Sequence, residues 1–328
     1  FTSAPMCDAF LILAQAPGGI SCFLTPRILP DGSRNSLFLM RLKDKLGNRS
    51  NASSELEYVD AAGWLVGEEG RGINVIMKMV NATRVDVTNW SASLMRQAVT
   101  QAAGYVVQRE AFGAPLIDKP LMQNVLADLE LETEVATMMT MRLAGAFERA
   151  PIDDHESHFL RLSSAVAKYW LSKRSTPVVR EALECLGGAG FVEESILPRL
   201  YREAPLNAIW EGAGNVIALD VLRALQRSPE AGEAFVTELS LAAGGEVVFD
   251  RELAALKRQI AIPVDEADAR RLVEQLALCW GASLCLRHEP EIADAYIRSR
   301  LDGDWGSEFG TLSSNLRLDR LARRACAV

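Results

Sequence analysis

Glu211 is the residue of this chain whose neighbours best suit a general base. It follows the apolar pair Ile209-Trp210 and precedes Gly212 and Gly214, after which a helical pattern begins. A carboxylate among apolar side chains loses hydration, which disfavours its charged form and favours the uptake of a proton. Glycines let the backbone approach a large ligand and adopt positive φ. Taken alone, the window also fits an ordinary loop glutamate beside a helix N-terminus.

Other motifs, in a fixed order, give this window its context. They are Lys45-Leu-Gly-Asn-Arg-Ser50, Arg109-Glu-Ala-Phe-Gly-Ala-Pro-Leu116, Leu186-Gly-Gly-Ala-Gly-Phe191 and Tyr201-Arg-Glu-Ala-Pro-Leu-Asn-Ala-Ile-Trp-Glu-Gly-Ala-Gly-Asn215. In this order and spacing they resemble the acyl-CoA dehydrogenase family of flavoproteins. The last motif resembles its AidB branch, which is tied to the bacterial adaptive response to DNA alkylation. The segments 23–35 and 41–53 are similar to the same branch, so the resemblance covers essentially the whole chain.

Length, charge and cysteine usage narrow the class of protein. The 328 residues suffice for two or three cores, and the net charge of −8 argues against diffuse affinity for nucleic acid or membranes. The six cysteines form no CxxC pair, which favours a reduced, cytoplasmic protein. No apolar run is long enough to span a membrane. The opening residues resemble the middle of a strand, so we expect the C-terminal portion of a longer protein without its N-terminal helical domain.

The apolar pattern predicts an α+β fold that is mostly α. Alternating or short apolar runs predict strands over 9–15, 21–25 and 54–60. A helical period then predicts a four-helix antiparallel bundle. Its helices are expected from Gly72 toward Arg109 and over 119–149, 156–186 and 214–227, with further amphipathic helices over 265–286 and 289–301.

These elements predict three parts of the chain. Residues 1–66 form a middle β domain truncated at its start, 67–228 the helical bundle, and 229–328 an extra helical domain. The resemblance implies that the first part is a partial β-barrel of the acyl-CoA dehydrogenase fold. An appendage like the third part is typical of the AidB branch and absent from ordinary acyl-CoA dehydrogenases.

The resemblance also implies FAD as the cofactor and an acyl-CoA substrate. In the family, a carboxylate removes the α proton of a thioester while a hydride leaves the β carbon for the flavin. Glu211 matches this base, and its own N–H matches an enolate donor. The positions that match cofactor contacts are Phe1, Thr2, Ser3, Arg109, Phe112, Gly187, Gly188, Ile209, Trp210, Gly212, Gly214 and Asn215.

Several of these matches have a structural alternative. The paired glycines Gly187 and Gly188, matched to the adenosine-diphosphate half, also suit a helix end. Arg109 and Phe112 match an element that reaches a neighbouring subunit, which implies a homotetramer; a helix C-terminal arginine is the alternative. Arg84 matches a residue lining the substrate site, or forms a buried ion pair between helices.

Two features depart from the resemblance or stay outside it. Ala213 and Asn215 stand where the family usually has Thr and Gln, and Glu184 and Pro120 where many relatives have Gln. The cofactor site is therefore expected to be the AidB variant. The acidic residues before His155 are expected to begin a helix, and no metal site is expected.

A cluster of arginines near the end of the chain raises a second function. AidB relatives bind DNA through their C-terminal region, and the arginines that could contact duplex DNA here are Arg223, Arg317, Arg320 and Arg324. Acidic residues are interleaved with them, which is typical of an ion-paired surface. The alternatives are therefore a flavin-containing DNA-binding protein with vestigial dehydrogenase chemistry, and an ordinary short-chain acyl-CoA dehydrogenase, which the appendage disfavours.

Overall fold

The computed structural model describes residues 3–326 and divides the chain into two compact units. The first unit ends at Thr83 and the second begins at Arg84. The domain boundaries expected near residues 66 and 228 stay predictions. None of the described helices combines the length and the apolarity that crossing a membrane requires.

The first unit is built from antiparallel strands. They are β1 (Ala9–Ala16), β2 (Gly19–Pro26), β3 (Leu37–Leu42), β4 (Ser54–Tyr58) and β5 (Trp64–Val66). One sheet has the order β1-β2-β5, and β3 pairs with β4. The turn between β1 and β2 joins the pair Ala16–Gly19, and Gly19 has a φ of 115°, which suits glycine. The three predicted strands are confirmed, and no closed barrel forms among the described residues.

One local expectation in this unit is wrong. The opening residues were expected in a strand, but Ser3 precedes a 3-10 helix over Ala4–Met6. Pro5 explains the difference, because its fixed φ suits a first helical turn and it has no N–H to donate to a sheet. Phe1 and Thr2 lie outside the described residues.

Helix α1 begins in the first unit, at Gly72, and continues into the second. The second unit is helical. Its helices are α1 (Gly72–Gln108), α2 (Pro120–Arg149), α3 (Asp154–Cys185), α4 (Gly188–Phe191), α5 (Leu197–Glu203), α6 (Gly214–Arg227), α7 (Pro229–Ser240), α8 (Val247–Ile260), α9 (Ala269–His288), α10 (Pro290–Arg300) and α11 (Leu318–Ala325). A hairpin of β6 (Glu110–Ala111) and β7 (Ala114–Pro115) separates α1 from α2. The four predicted bundle helices are confirmed within two or three residues at each end.

Local chemistry explains where these helices begin. Pro120 occupies the first turn of α2, where a missing N–H costs nothing. The Asp153 carboxylate accepts a hydrogen bond of 3.2 Å from the Glu156 N–H and caps α3. The expectation that acidic residues start this helix is therefore confirmed. Because only four residues join α2 to α3, the two helices are antiparallel neighbours.

The helices beyond residue 228 share a core with the bundle. Phe159 of α3, Phe235 of α7 and Trp280 of α9 are fully buried, with ring centroids 5.5–5.8 Å apart; the two phenylalanines stack, and both contact Trp280 edge to face. Aromatic contacts of this geometry contribute beyond the area that they bury. The C-terminal helices therefore belong to the same core as α6, which packs against α7 and α9.

Candidate active site

Glu211 has an unusual main-chain conformation. Its φ is 55°, and that of Gly212 is 105°. Among the described residues, the other non-glycine positions with positive φ are Asn48, Asp60 and Phe112. Asn and Asp tolerate the left-handed region, whereas a glutamate or a phenylalanine is strained there. Strain of this kind persists where the surroundings enforce it, and it clusters at functional sites.

Two buried cations hold the carbonyl groups of this turn. Nε of Arg84 on α1 donates to the Glu211 carbonyl at 3.3 Å, and Nζ of Lys168 on α3 donates to the Gly212 carbonyl at 2.5 Å. Arg84 is 3% exposed and Lys168 is 1% exposed. Contacts from two helices thus fix two successive peptide groups, which explains how the strained conformation is maintained.

Arg84 is itself held by an ion pair between helices. Its guanidinium donates to Asp220 on α6 at 2.7 Å, and Arg161 on α3 donates to the other oxygen at 2.9 Å. Burial alone would raise the pKa of Asp220, but Arg161 and Arg84 outweigh it, so the pKa is lowered. Arg84 forms the buried ion pair between helices that was one interpretation of it. It also contacts the Glu211 turn, which is compatible with the other interpretation, a residue lining the substrate site.

Aromatic and polar side chains form one side of the turn. Trp210 packs on Trp90 of α1 with ring centroids 5.2 Å apart, and its buried Nε1 has no hydrogen-bond partner among the described residues. Asn207 donates to Ser91 at 3.2 Å. The Glu211 side chain is half-buried, and within residues 3–326 its carboxylate accepts no hydrogen bond. The carboxylate is thus available to a ligand beside an apolar wall.

The remaining residues of this motif lead into α6. Gly214 begins the helix, and a Cβ at this position would meet Lys173 at 3.0 Å. Asn215 in the first turn is exposed, as is Ile209 before the turn. Five predicted site residues thus lie beside Glu211, in its loop or in the first turn of α6: Ile209, Trp210, Gly212, Gly214 and Asn215.

A separate groove brings together Arg109 and the segment before the paired glycines. The groove, of about 530 Å³, is lined by α1 residues, by Arg109 and by Leu186. Gly187 follows with a φ of 58°. Apart from the adjoining residues and the main chain of its own helix, no described atom lies within 4 Å of where a Cβ of Gly187 or Gly188 would lie. Packing within the chain therefore leaves open space at both glycines.

Phe112 projects from the β6–β7 hairpin. Its φ of 53° and that of 78° at Gly113 correspond to a two-residue turn with both central residues left-handed. The side chain is 93% exposed. The tip of this hairpin therefore carries a large apolar side chain that is both strained and exposed.

The arginines considered for DNA are partly engaged by carboxylates. Arg320 pairs with Glu291, and Arg324 donates to Glu134 at 2.7 and 2.8 Å and to Glu289 at 3.0 Å. Arg223 and Arg317 are exposed and have no ion pair among residues 3–326. The predicted ion-paired surface is therefore present on α11.

Lys168 and Asp220 were missed by reasoning from sequence. Lys168 follows Ala165-Val-Ala167 and is the one charged residue in an otherwise apolar run, a signal that could have identified it. Asp220 carries no such signal, because an aspartate in an amphipathic helix is ordinary. Ser3 lies in the first unit, where its hydroxyl donates to Asn51 at 2.6 Å.

Comparison with known proteins defines the class. Residues 70–226 match the family model for the C-terminal domain of acyl-CoA dehydrogenases. The chain belongs to the acyl-CoA dehydrogenase family. It is 45% identical to the putative acyl-CoA dehydrogenase AidB of Escherichia coli over 98% of this chain and 59% of that protein. The resemblance drawn from the motifs is confirmed.

Solved structures agree with this assignment. The Caenorhabditis elegans ACDH-11, in complex with C11-CoA, matches with a TM-score of 0.79 and 27% identity over 98% of this chain and 56% of that chain. An acyl-CoA dehydrogenase from Bacillus anthracis complexed with FAD shares the fold, with a TM-score of 0.73 and 18% identity over 99% of this chain and 60% of that chain. The chain thus spans somewhat more than half the length of these relatives.

Proposed function

We propose that the protein is an FAD-dependent acyl-CoA dehydrogenase of the AidB type, with Glu211 as the base that removes the α proton of an acyl thioester. The observation that carries this proposal is the strained turn at Glu211, held by Arg84 and Lys168. A loop of purely structural role would be served better by glycine at this position. The identity to AidB supports the same chemistry.

The residues present fit a flavin. Gly187 and Gly188 leave open space in which the cofactor backbone could approach, and Arg109 in the neighbouring groove supplies a cation for its phosphates. The exposed Phe112 provides an apolar surface on the adjoining hairpin. When bound, FAD supplies the hydride acceptor. Gly187 and Gly188 would hold it within their own chain, and Arg109 and Phe112 would do so across a subunit boundary.

The chain's own residues account for the proton transfer. The Glu211 carboxylate, which accepts no hydrogen bond within the described chain, takes the α proton. The Trp90–Trp210 pair excludes water from one side of the turn. Arg84 and Lys168 keep the main chain fixed while the charge of the carboxylate changes. The solved complex of ACDH-11 with C11-CoA supports an acyl-CoA as the substrate class.

Replacing the base tests this assignment. Glu211→Gln keeps the shape of the side chain but cannot accept the proton, so FAD binding should persist while flavin bleaching by an acyl-CoA slows by about 10²- to 10⁴-fold. Glu233→Gln on the exposed face of α7 is the matched control and should bleach at the wild-type rate. Unchanged bleaching in Glu211→Gln would reject the assignment. A protein that stays colourless after incubation with FAD would reject the cofactor.

We also propose a cytoplasmic homotetramer. The strained, exposed Phe112 and the open groove beside Arg109 support contact with a second copy of the chain. The six cysteines are all free, which suits a reducing compartment.

DNA binding stays the alternative function. The carboxylate partners of Arg320 and Arg324 reduce the cationic surface that α11 offers to phosphates. For this reason we prefer the dehydrogenase function. If the wild-type protein with bound FAD binds duplex DNA but no acyl-CoA bleaches its flavin, DNA binding becomes the preferred function.

A further inference from the structure

A buried ammonium group lies under the Glu211 turn without a carboxylate partner. Lys168 is 1% exposed, and among the described residues no carboxylate oxygen lies within 4.0 Å of its Nζ. Its recorded hydrogen bond is to the Gly212 carbonyl at 2.5 Å. Two partly buried arginines of α3 differ, since Arg161 pairs with Asp220 and Arg174 with Glu132, whereas the less buried Lys173 makes no ion pair within residues 3–326.

Stability alone does not account for a lysine at this position. Burying an ammonium group against a neutral carbonyl is unfavourable, and an apolar side chain of the same length would serve the core of α3 at least as well. Burial first, and the charge of Arg84 next, lower the pKa of Lys168 to about 8, while Glu211 acts in the opposite direction. A buried cation that weakens the fold at a strained turn indicates a functional role.

The two carbonyl contacts together set the direction of the turn. In a trans peptide group the N–H points opposite to the C=O, so the contacts of Arg84 and Lys168 direct the N–H groups of Gly212 and Ala213 away from the bundle. These N–H groups make no hydrogen bond within residues 3–326. The same contacts keep Glu211 in the left-handed region, which it would otherwise leave.

We propose that Lys168 is a positioning residue, whose ammonium group holds the Gly212 carbonyl and thereby fixes the Glu211 carboxylate in its reactive orientation. Arg84 performs the same task on the preceding peptide group. This inference rests on the proposed function, because it assigns a purpose to the geometry of the base. It also makes a claim about the turn itself that does not depend on any substrate.

The variant that tests the role is Lys168→Met, which keeps length and removes the donor. Flavin bleaching by an acyl-CoA should slow by about 10- to 100-fold, with little change in the acyl-CoA concentration at half-maximal rate, because a misplaced base lowers the rate rather than binding. Amide hydrogen exchange of a peptide covering 209–214, measured without flavin or substrate, should become faster. Arg180→Met, on the same helix but remote from the turn and paired with Glu308 at the surface, should change neither.

The two readouts separate this inference from the proposed function. If wild-type flavin is not bleached by any acyl-CoA, the proposed function fails, and amide exchange alone then decides the role of Lys168. Unchanged exchange at 209–214 in Lys168→Met, or a wild-type bleaching rate, overturns it. If Lys168→Met does not fold, Lys168→Arg and Lys168→Gln are compared: a faster rate with the charged donor supports the role, and equal rates overturn it.

Discussion

Arg300 is expected to be the main polar anchor between the C-terminal helices and the bundle. Its guanidinium donates to Asp128 and, at 2.9 and 3.1 Å, to Glu132, both on α2. The side chains of Arg300, Asp128 and Glu132 are 2%, 0% and 6% exposed. Asp128 also accepts from Trp305 at 2.8 Å and from the Gly310 N–H at 3.0 Å, which fixes the segment after α10.

Removing one partner of a buried ion pair leaves an uncompensated charge in the core. Arg300→Met should therefore lower the free energy of unfolding by roughly 3–5 kcal/mol. Arg298→Met is the matched control, because Arg298 lies two residues away on α10 and pairs with Asp304 at the surface, with side chains 35% and 48% exposed. That change should cost less than about 1 kcal/mol.

Urea unfolding followed by tryptophan fluorescence measures both changes, and pH adds a second observation. Burial opposes ionisation of Glu132, but Arg174 and Arg300 outweigh it and lower its pKa. The resulting stabilisation is present above the unfolded pKa near 4.5 and is lost as the pH falls through the folded value. Arg300→Met should lose part of this acid dependence. If Arg300→Met lowers the free energy of unfolding no more than Arg298→Met does, Arg300 is not the main polar anchor.

Three further outcomes are expected. The pKa of Lys168 is about 8 in the folded protein and 10.5 for a free lysine, so the unfolded chain binds more protons between these pH values, and Arg84, Lys173 and Glu211 are the neighbouring charges. As the pH rises over this range, the free energy of unfolding of the wild type should therefore increase by up to roughly 3 kcal/mol relative to that of Lys168→Met. Urea titrations at several pH values measure this difference. Light scattering should give a tetrameric mass, and a monomer at micromolar concentration would contradict this. If the protein binds duplex DNA, its affinity should fall steeply with salt concentration and show little sequence preference. The double variant Arg320→Glu, Arg324→Glu should weaken binding to all sequences. Absence of binding at low salt would contradict the DNA-binding function.

Most helix positions could be predicted because periodicity and capping are local properties. The helix expected over 214–227 is α6 as observed, and Asp153 caps α3 as its sequence indicates. Helices α7 and α8 were not predicted individually, and the glycine pair Gly244-Gly245 between them interrupts the apolar period. The 3-10 turn after Ser3 contradicts the predicted strand, and Pro5 is the residue that favours the helical turn.

The candidate site could be predicted in its residues but not in its geometry. Glu211 and its glycines are adjacent in sequence, so their composition alone identifies the loop. The conformation of that loop depends on two distant residues. Arg84 precedes Glu211 by 127 residues, and Lys168 precedes Gly212 by 44 residues. No local pattern encodes contacts at such separations. Only the folded bundle shows that two cations from different helices meet two successive carbonyls.

Two costs to stability coincide at the Glu211 turn. A left-handed glutamate costs roughly 1–2 kcal/mol relative to an allowed conformation, and the unpaired ammonium of Lys168 adds a desolvation cost beneath it. Glycine at 211 and an apolar residue at 168 would remove both. Each cost is explained if the carboxylate must be held in one orientation while its charge changes during proton transfer. A single requirement, fixed presentation of the base, thus accounts for the strain, the buried cations and the ion pair with Asp220 that holds Arg84.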